Sequence, residues 1–266
     1  MRSGQNPGMT SPTLPPFGRL AILSALVDEQ RGLIEHLQQR HKVEYAGRHF
    51  WLGTLGGTPV VLTVSRIGKV SAAITATLLI ERFGADAIVF TGVAGGLGDG
   101  VKVGDVVVAQ DFLQHDLDVS PLFPRYEVPA YGRSRFECHP TLSQALADAV
   151  QAALAQGLSP DFGQAQLHRG LIVSGDRFVC GAEESAHLQT RLRAAGHEAL
   201  AVEMEGAAVA QVCADHGLPF AAMRTISDRA DDNAHLDFAQ FVQAVASRYA
   251  ERIVWQLLRM PQPGLA

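Results

Sequence analysis

Residues 199–228 read ALAVEMEGAAVAQVCADHGLPFAAMRTISD. An apolar run at 199–204 leads straight into a segment with helical character at 205–216. A second apolar run follows at 220–226. Short apolar runs on either side of a longer segment read as strand, helix, strand. Neither run alternates polar with apolar residues, as expected of strands covered on both faces. The reading fixes the fold class as α/β.

The same pattern extends outward. A continuously apolar strand is expected at 20–26 and a helix at 28–39, where Leu33, Ile34 and Leu37 recur at helical spacing. Strands at 48–55 and 59–65 flank Gly56-Gly57, a hairpin turn. Gly68 opens a small-residue helix at 69–83. A strand at 87–93 runs into Ala94-Gly95-Gly96-Leu97-Gly98. Strands are expected at 106–110 and 170–174, and helices at 141–156, 183–194 and 238–258. The proline-rich stretch 119–139 reads as a long loop, of a kind often tied to function. Alternating strands and helices predict a single-domain three-layer α/β/α sandwich with a central mixed sheet. The domain spans 18–266, and the polar, proline-rich residues 1–17 form a flexible tail outside it.

Composition narrows the function. The chain has 266 residues, 47% hydrophobic and 18% charged, which suits a globular core. A net charge of −5 disfavours nucleic acid and anionic membrane surfaces as partners. No apolar run is long enough for a spanning helix, and residues 1–19 contain no apolar core segment, so they are not expected to act as a secretory signal. Cys138, Cys180 and Cys213 are odd in number and widely spaced, so reduced thiols in a cytoplasmic protein are expected.

Ligands of such sheets bind beyond the carboxyl ends of the strands. Those ends carry Asp28-Glu29, the 91–96 segment TGVAGG, Ser174 to Phe178, Glu203-Met204-Glu205, and Arg224 to Asp228. Each has a simpler reading. An Asp or Glu at a strand end often caps a helix, Phe178 suits a core, and the glycines suit a turn. Together they suggest an acid–base enzyme with a small polar ligand. His115-Asp116-Leu117-Asp118 could suggest a metal, but no second His or Cys stands at ligand spacing.

Seven segments in order make the sequence specific: SRIGKV at 65–70, TGVAGG at 91–96, KVGD at 102–105, HDLDV at 115–119, SGDRF at 174–178, AVEME at 201–205, and Ser227-Asp228. In that order, from about residue 19 onward, the chain resembles the 5′-methylthioadenosine/S-adenosylhomocysteine nucleosidases of the nucleoside phosphorylase superfamily. The resemblance implies a nucleoside phosphorylase-like fold and hydrolysis of the bond between adenine and ribose, with no cofactor and no metal. It implies that Glu29 activates the attacking water and that Asp228, oriented by Ser227, serves adenine N7. Phe178 would stack on the base and Val179 offer backbone contacts. Met204 and Glu205 would hold the ribose, with Glu203 and Arg224 beside it and Gly95 in the same pocket. Ile67 and Phe238 would meet the 5′-alkylthio group. Val119 would be lent to a partner's site, which implies a homodimer with a shared edge. Two positions depart from the pattern: Val93 where many relatives carry Ser, and Arg66 where Gly is common.

The chemistry is consistent with those roles. Adenine leaves well only when protonated, which needs a carboxylic acid that holds its proton. A second carboxyl group must hold the water. Phosphorolysis would instead need an early Arg and Gly cluster for phosphate, where this chain has Val27-Asp28-Glu29. Two further alternatives are a nucleosidase for another 5′-substituted nucleoside of futalosine type, and a nucleoside-binding protein without turnover.

Overall fold

The computed structural model describes residues 18–158, 165–231, 234, 238, 241 and 245–259. The expected tail at 1–17 lies outside the described residues. Eleven strands are found among them: β1 (Leu20–Ser24), β2 (Gln38–Tyr45), β3 (Arg48–Leu55), β4 (Thr58–Val64), β5 (Ala87–Phe90), β6 (Val93–Gly96), β7 (Val106–Gln114), β8 (Arg135–Glu137), β9 (Leu167–Ser174), β10 (Ala199–Glu203) and β11 (Phe220–Asp228). The helices are α1 (Arg31–Glu35), α2 (Lys69–Glu81), α3 (Pro140–Ala155), α4 (Ala182–Ala194), α5 (Gly206–His216) and α6 (Ser247–Arg259).

The strands form one mixed sheet in the order β2-β3-β4-β1-β5-β11-β6-β10-β9-β7-β8. β1, β5 and β11 are buried along their whole length, which accounts for their unbroken apolar character. Two apolar layers cover the sheet. One gathers side chains of α3 and α6, the other those of α2 and α5. The three-layer α/β/α arrangement with a mixed sheet is as expected from the alternation.

β11 organises the centre. Its first half pairs in parallel with β5 and its second half in parallel with β6. It also pairs antiparallel with β7 over Met223–Thr225. Because β6, β10, β9 and β7 follow in series, that last pairing closes half of the sheet into a small barrel.

Three expectations need correction. The helix expected at 28–39 is a 3-10 turn at Val27–Glu29 followed by the short α1, and residues from Gln38 onward are strand. β2 alternates little and is mostly exposed, so it left no hydrophobic period to read. The strand at 87–93 is two strands, broken at Thr91-Gly92 where the chain passes from the open part of the sheet into the barrel. The 119–139 loop contains β8, paired with β7. Of the last helix, expected at 238–258, residues 239, 240 and 242–244 lie outside the described residues, and α6 follows at Ser247–Arg259. The Gly56-Gly57 turn is as expected, with φ of 56° and 87°, values that favour glycine.

Candidate active site

The carboxyl ends of β1, β4, β5, β9, β10 and β11 converge on a cavity of about 300 Å³. Four carboxylates reach it: Glu29, Glu203, Glu205 and Asp228. All four are buried. Burying a charge is costly unless hydrogen bonds or counter-charges compensate, so each partner set reveals a job.

Glu203 is fully engaged. Arg224 Nη2 donates to its Oε2 at 2.7 Å, and the Ser174 hydroxyl donates to Oε1. The first amides of α5 complete the set: Gly206 N donates to both oxygens at 2.9 and 3.0 Å, and Glu205 N to one at 3.2 Å. A carboxylate here complements the positive end of α5. Arg224 Nη1 donates to the Phe90 and Met223 carbonyls, and the guanidinium lies over the Phe90 ring at 4.0 Å. The pair is therefore a scaffold on which the cavity floor rests.

Glu29 is held by backbone. Ala25 N and Leu26 N donate to Oε2 at 2.8 and 2.9 Å, and Val93 N donates to Oε1 at 3.2 Å. Burial pushes its pKa up to about 7, against the lowering pull of those amides and of Arg224. Glu205 accepts from Gly68 N at 2.8 Å through Oε1. Burial and the nearby Glu203 charge push its pKa up to about 8.

Asp228 ends β11. The Ser227 hydroxyl donates to its Oδ2 at 2.7 Å and Ala230 N to its Oδ1 at 2.8 Å. Gly95 permits this placement, because a Cβ there would stand 2.9 Å from Asp228 Oδ1. Phe178 and Phe238 form an edge-to-face pair on the wall, with ring centroids 5.6 Å apart.

The phosphorylase superfamily model matches residues 19–259. A 5′-methylthioadenosine/S-adenosylhomocysteine nucleosidase from Exiguobacterium is 37% identical over 92% of this chain and 99% of its own length. One from Shewanella halifaxensis is 34% identical over 91% of this chain and 99% of its own. This chain belongs to that nucleosidase family. Among solved structures, the Neisseria meningitidis nucleosidase in complex with methylthio-immucillin-A superposes with a TM-score of 0.81 at 35% identity, covering 91% of this chain and 98% of that one. A futalosine hydrolase mutant of Helicobacter pylori superposes with a TM-score of 0.79 at 32% identity, covering 91% and 99%.

In this member of the family, most residues singled out in the sequence meet at the cavity. Ile67, Gly95, Phe178, Val179, Glu203, Met204, Glu205, Ser227, Asp228, Phe238 and Glu29 all line it. Arg224 stands behind Glu203, and Val119 lies off the cavity on the loop after β7. Sequence reasoning did not single out Ala25 and Leu26 as wall residues, and it quoted Ala94, Arg177 and Val202 only within their motifs. Ser174, quoted only within its motif, proves to bridge Glu203 and Ala207 N. Small apolar residues beside a motif carry no chemical signal of their own.

The two departures also find places. Val93 keeps its amide on Glu29 while its side chain lines the cavity. Arg66 has φ of 65°, a left-handed conformation that explains a preference for glycine there. Its guanidinium donates to the Gly47 carbonyl, outside the cavity. Asp116 is a tie between segments: Lys69 Nζ donates to it at 2.6 Å and Asp176 N at 2.8 Å. No metal-ligating group of three side chains occurs among the described residues.

Proposed function

We infer that this chain hydrolyses the N-glycosidic bond of 5′-methylthioadenosine and S-adenosylhomocysteine, releasing adenine and the 5-thio-substituted ribose. The observation that carries this is the pairing, in one cavity, of Glu29, whose pKa of about 7 suits a base, with an oriented Asp228. Glu29 takes a proton from water as the water attacks the anomeric carbon. Asp228 serves adenine N7, so that the base leaves neutral. Glu205, which holds Gly68 N through one oxygen, accepts from the ribose hydroxyls. Phe178 packs on the base, and Ile67 and Phe238 on the 5′-thio substituent.

Water is favoured over phosphate on electrostatic grounds. Four carboxylates face the cavity, Arg224 is committed to Glu203, and Arg177 at the rim pairs with Glu184 at 2.8 Å. Both guanidiniums at the cavity are thus already paired with carboxylates, so a phosphate dianion would find no free cation there to hold it.

The active form is a homodimer in the cytoplasm. Ile67, Val70 and Ile74 expose apolar side chains along one face of the start of α2, and Leu122 is 83% exposed. Lys69 binds Gln114 and Asp116, which brings α2 beside the loop that carries Val119 and Leu122. An apolar face at the mouth of a cavity is a reasonable docking surface for a second copy.

Turnover of three nucleosides tests the substrate assignment. Adenine should be released from 5′-methylthioadenosine and from S-adenosylhomocysteine. Release of hypoxanthine from futalosine with neither of the others consumed would move the chain to the futalosine-type reading.

A further inference from the structure

Among the described residues, the Glu205 carboxylate accepts a hydrogen bond only from Gly68 N, at 2.8 Å through Oε1. Burial and the Glu203 charge push its pKa up to about 8, and the Gly68 amide is the largest influence in the other direction. Whatever aims that amide therefore acts on Glu205.

Gly68 does not aim it unaided. It stands just before α2 with φ of 93° and ψ of 157°, in a region that glycine adopts readily and other residues do not. Its backbone is held from outside. Asp176 Oδ1 accepts from the next amide, Lys69 N, at 2.7 Å. A Cβ at position 68 would stand 3.1 Å from that oxygen, so the close approach also favours glycine. Holding the 68–69 peptide limits how Gly68 can turn. It thereby directs Gly68 N at Glu205 and sets Ile67 in the cavity wall.

Asp176 is itself fixed in a closed ring with Asp116 and Lys69. Its amide donates to Asp116 Oδ2 at 2.8 Å, and Asp116 Oδ1 accepts from Lys69 Nζ at 2.6 Å. Lys69 thus meets Asp176 through its backbone and Asp116 through its side chain. Lys69 Nζ also donates to Gln114 Oε1 at 3.1 Å, and Gln114 Nε2 donates to Gln211 Oε1 on α5 at 2.9 Å. That helix starts directly after Glu205. Burial alone would raise the Asp116 pKa, but Lys69 and the Asp176 amide bring it below its ordinary value. Asp116 is then ionised through the neutral range. Asp116, Lys69 and Asp176 do not line the cavity, so the ring reaches it through Gly68.

We propose that Asp176 is a positioning residue for the ribose site, acting through Gly68 on Glu205. The proposal rests on the hydrolytic reading, in which Glu205 accepts from the ribose hydroxyls. Without the Asp176 acceptor the 68–69 peptide is free to turn. Gly68 N then leaves Glu205, which loses both its orientation and the amide that favours its charge.

Steady-state kinetics of the full chain with 5′-methylthioadenosine tests this. Asp176 is exposed, so its variants should fold. Asp176→Ala should raise KM about tenfold, the effect of misdirecting a hydrogen bond to a charged group, with a smaller change in kcat. Adenine lacks the ribose, so its inhibition constant should not move. Asp176→Asn keeps an acceptor for Lys69 N and should restore most of the loss. In a Glu205→Ala background, Asp176→Ala should add nothing, because residues acting through one another are not additive. A wild-type KM in Asp176→Ala would overturn the proposal, as would an Asp176→Asn variant no better than Asp176→Ala. So would an equal rise in the adenine constant, or the same effect with and without the Glu205 side chain, since both describe a purely structural tie. A wild-type chain that releases no adenine would overturn the hydrolytic reading, and the ribose role of Asp176 with it.

Discussion

At the residue scale, the four buried carboxylates differ in what holds them. Glu203 is saturated by Arg224, Ser174 and the α5 amides, Glu29 and Glu205 are held mainly by backbone amides, and Asp228 is oriented by the Ser227 hydroxyl and Ala230 N. Asp228→Asn and Glu29→Gln should each lower kcat by about 10²–10⁴-fold while far-UV circular dichroism stays native. A near-normal rate in either variant would remove the role given to that residue. The base must be ionised to act, and the Glu29 pKa is about 7. The kcat/KM profile should therefore fall below that pH, by about tenfold per unit once Glu29 is protonated. A flat profile down to the ordinary carboxylate range would contradict the assignment. Glu205 links charge to stability. Its pKa rises from 4.5 unfolded to about 8 folded, so the folded chain binds more protons between those values. Stability then declines as pH climbs through that window. Glu205→Gln should flatten this decline, read as urea midpoints on either side of the window. An unchanged slope would argue against the raised value.

At the element scale, the ordering of strands and helices was legible because β1, β5 and β11 are buried on both faces and read as unbroken apolar runs. The carboxylates at their ends were legible for the same reason, since the end of a buried strand is where a polar residue stands out. The turn at Val27–Glu29 was not. Leu33, Ile34 and Leu37 have helical spacing, but the chain leaves the helix after Glu35 and enters an exposed strand whose polar residues carry no period. Nor was the break at Thr91-Gly92, where one apolar run serves two parts of the sheet. Long-range pairing decides such breaks, and local pattern does not contain it. The Arg224–Glu203 bridge joins β11 to the end of β10. Arg224→Met should cost about 3–5 kcal/mol in denaturant unfolding, because it leaves Glu203 buried without its counter-charge. A loss below about 1 kcal/mol, the size of an exposed pair, would show that the α5 amides suffice alone.

At the scale of the whole molecule, closure of half the sheet through β7 and β11 brings Glu203 and Asp228 to one rim of the barrel, with the end of β1 delivering Glu29 from the open half. The cavity thus lies where two sheet geometries meet, and Ile67 at its mouth is 58% exposed. If a second copy covers that face, Leu122→Glu should convert a dimer to a monomer by light scattering and raise KM more than it lowers kcat. A wild-type chain that scatters as a monomer at micromolar concentration would refute the shared edge. The central claim is hydrolysis in a cavity hostile to phosphate. Its most direct test is adenine release from 5′-methylthioadenosine with and without added phosphate, followed by chromatography of the sugar. The account predicts free 5-methylthioribose at the same rate in both conditions. A phosphate-dependent reaction that yields the sugar 1-phosphate would contradict it.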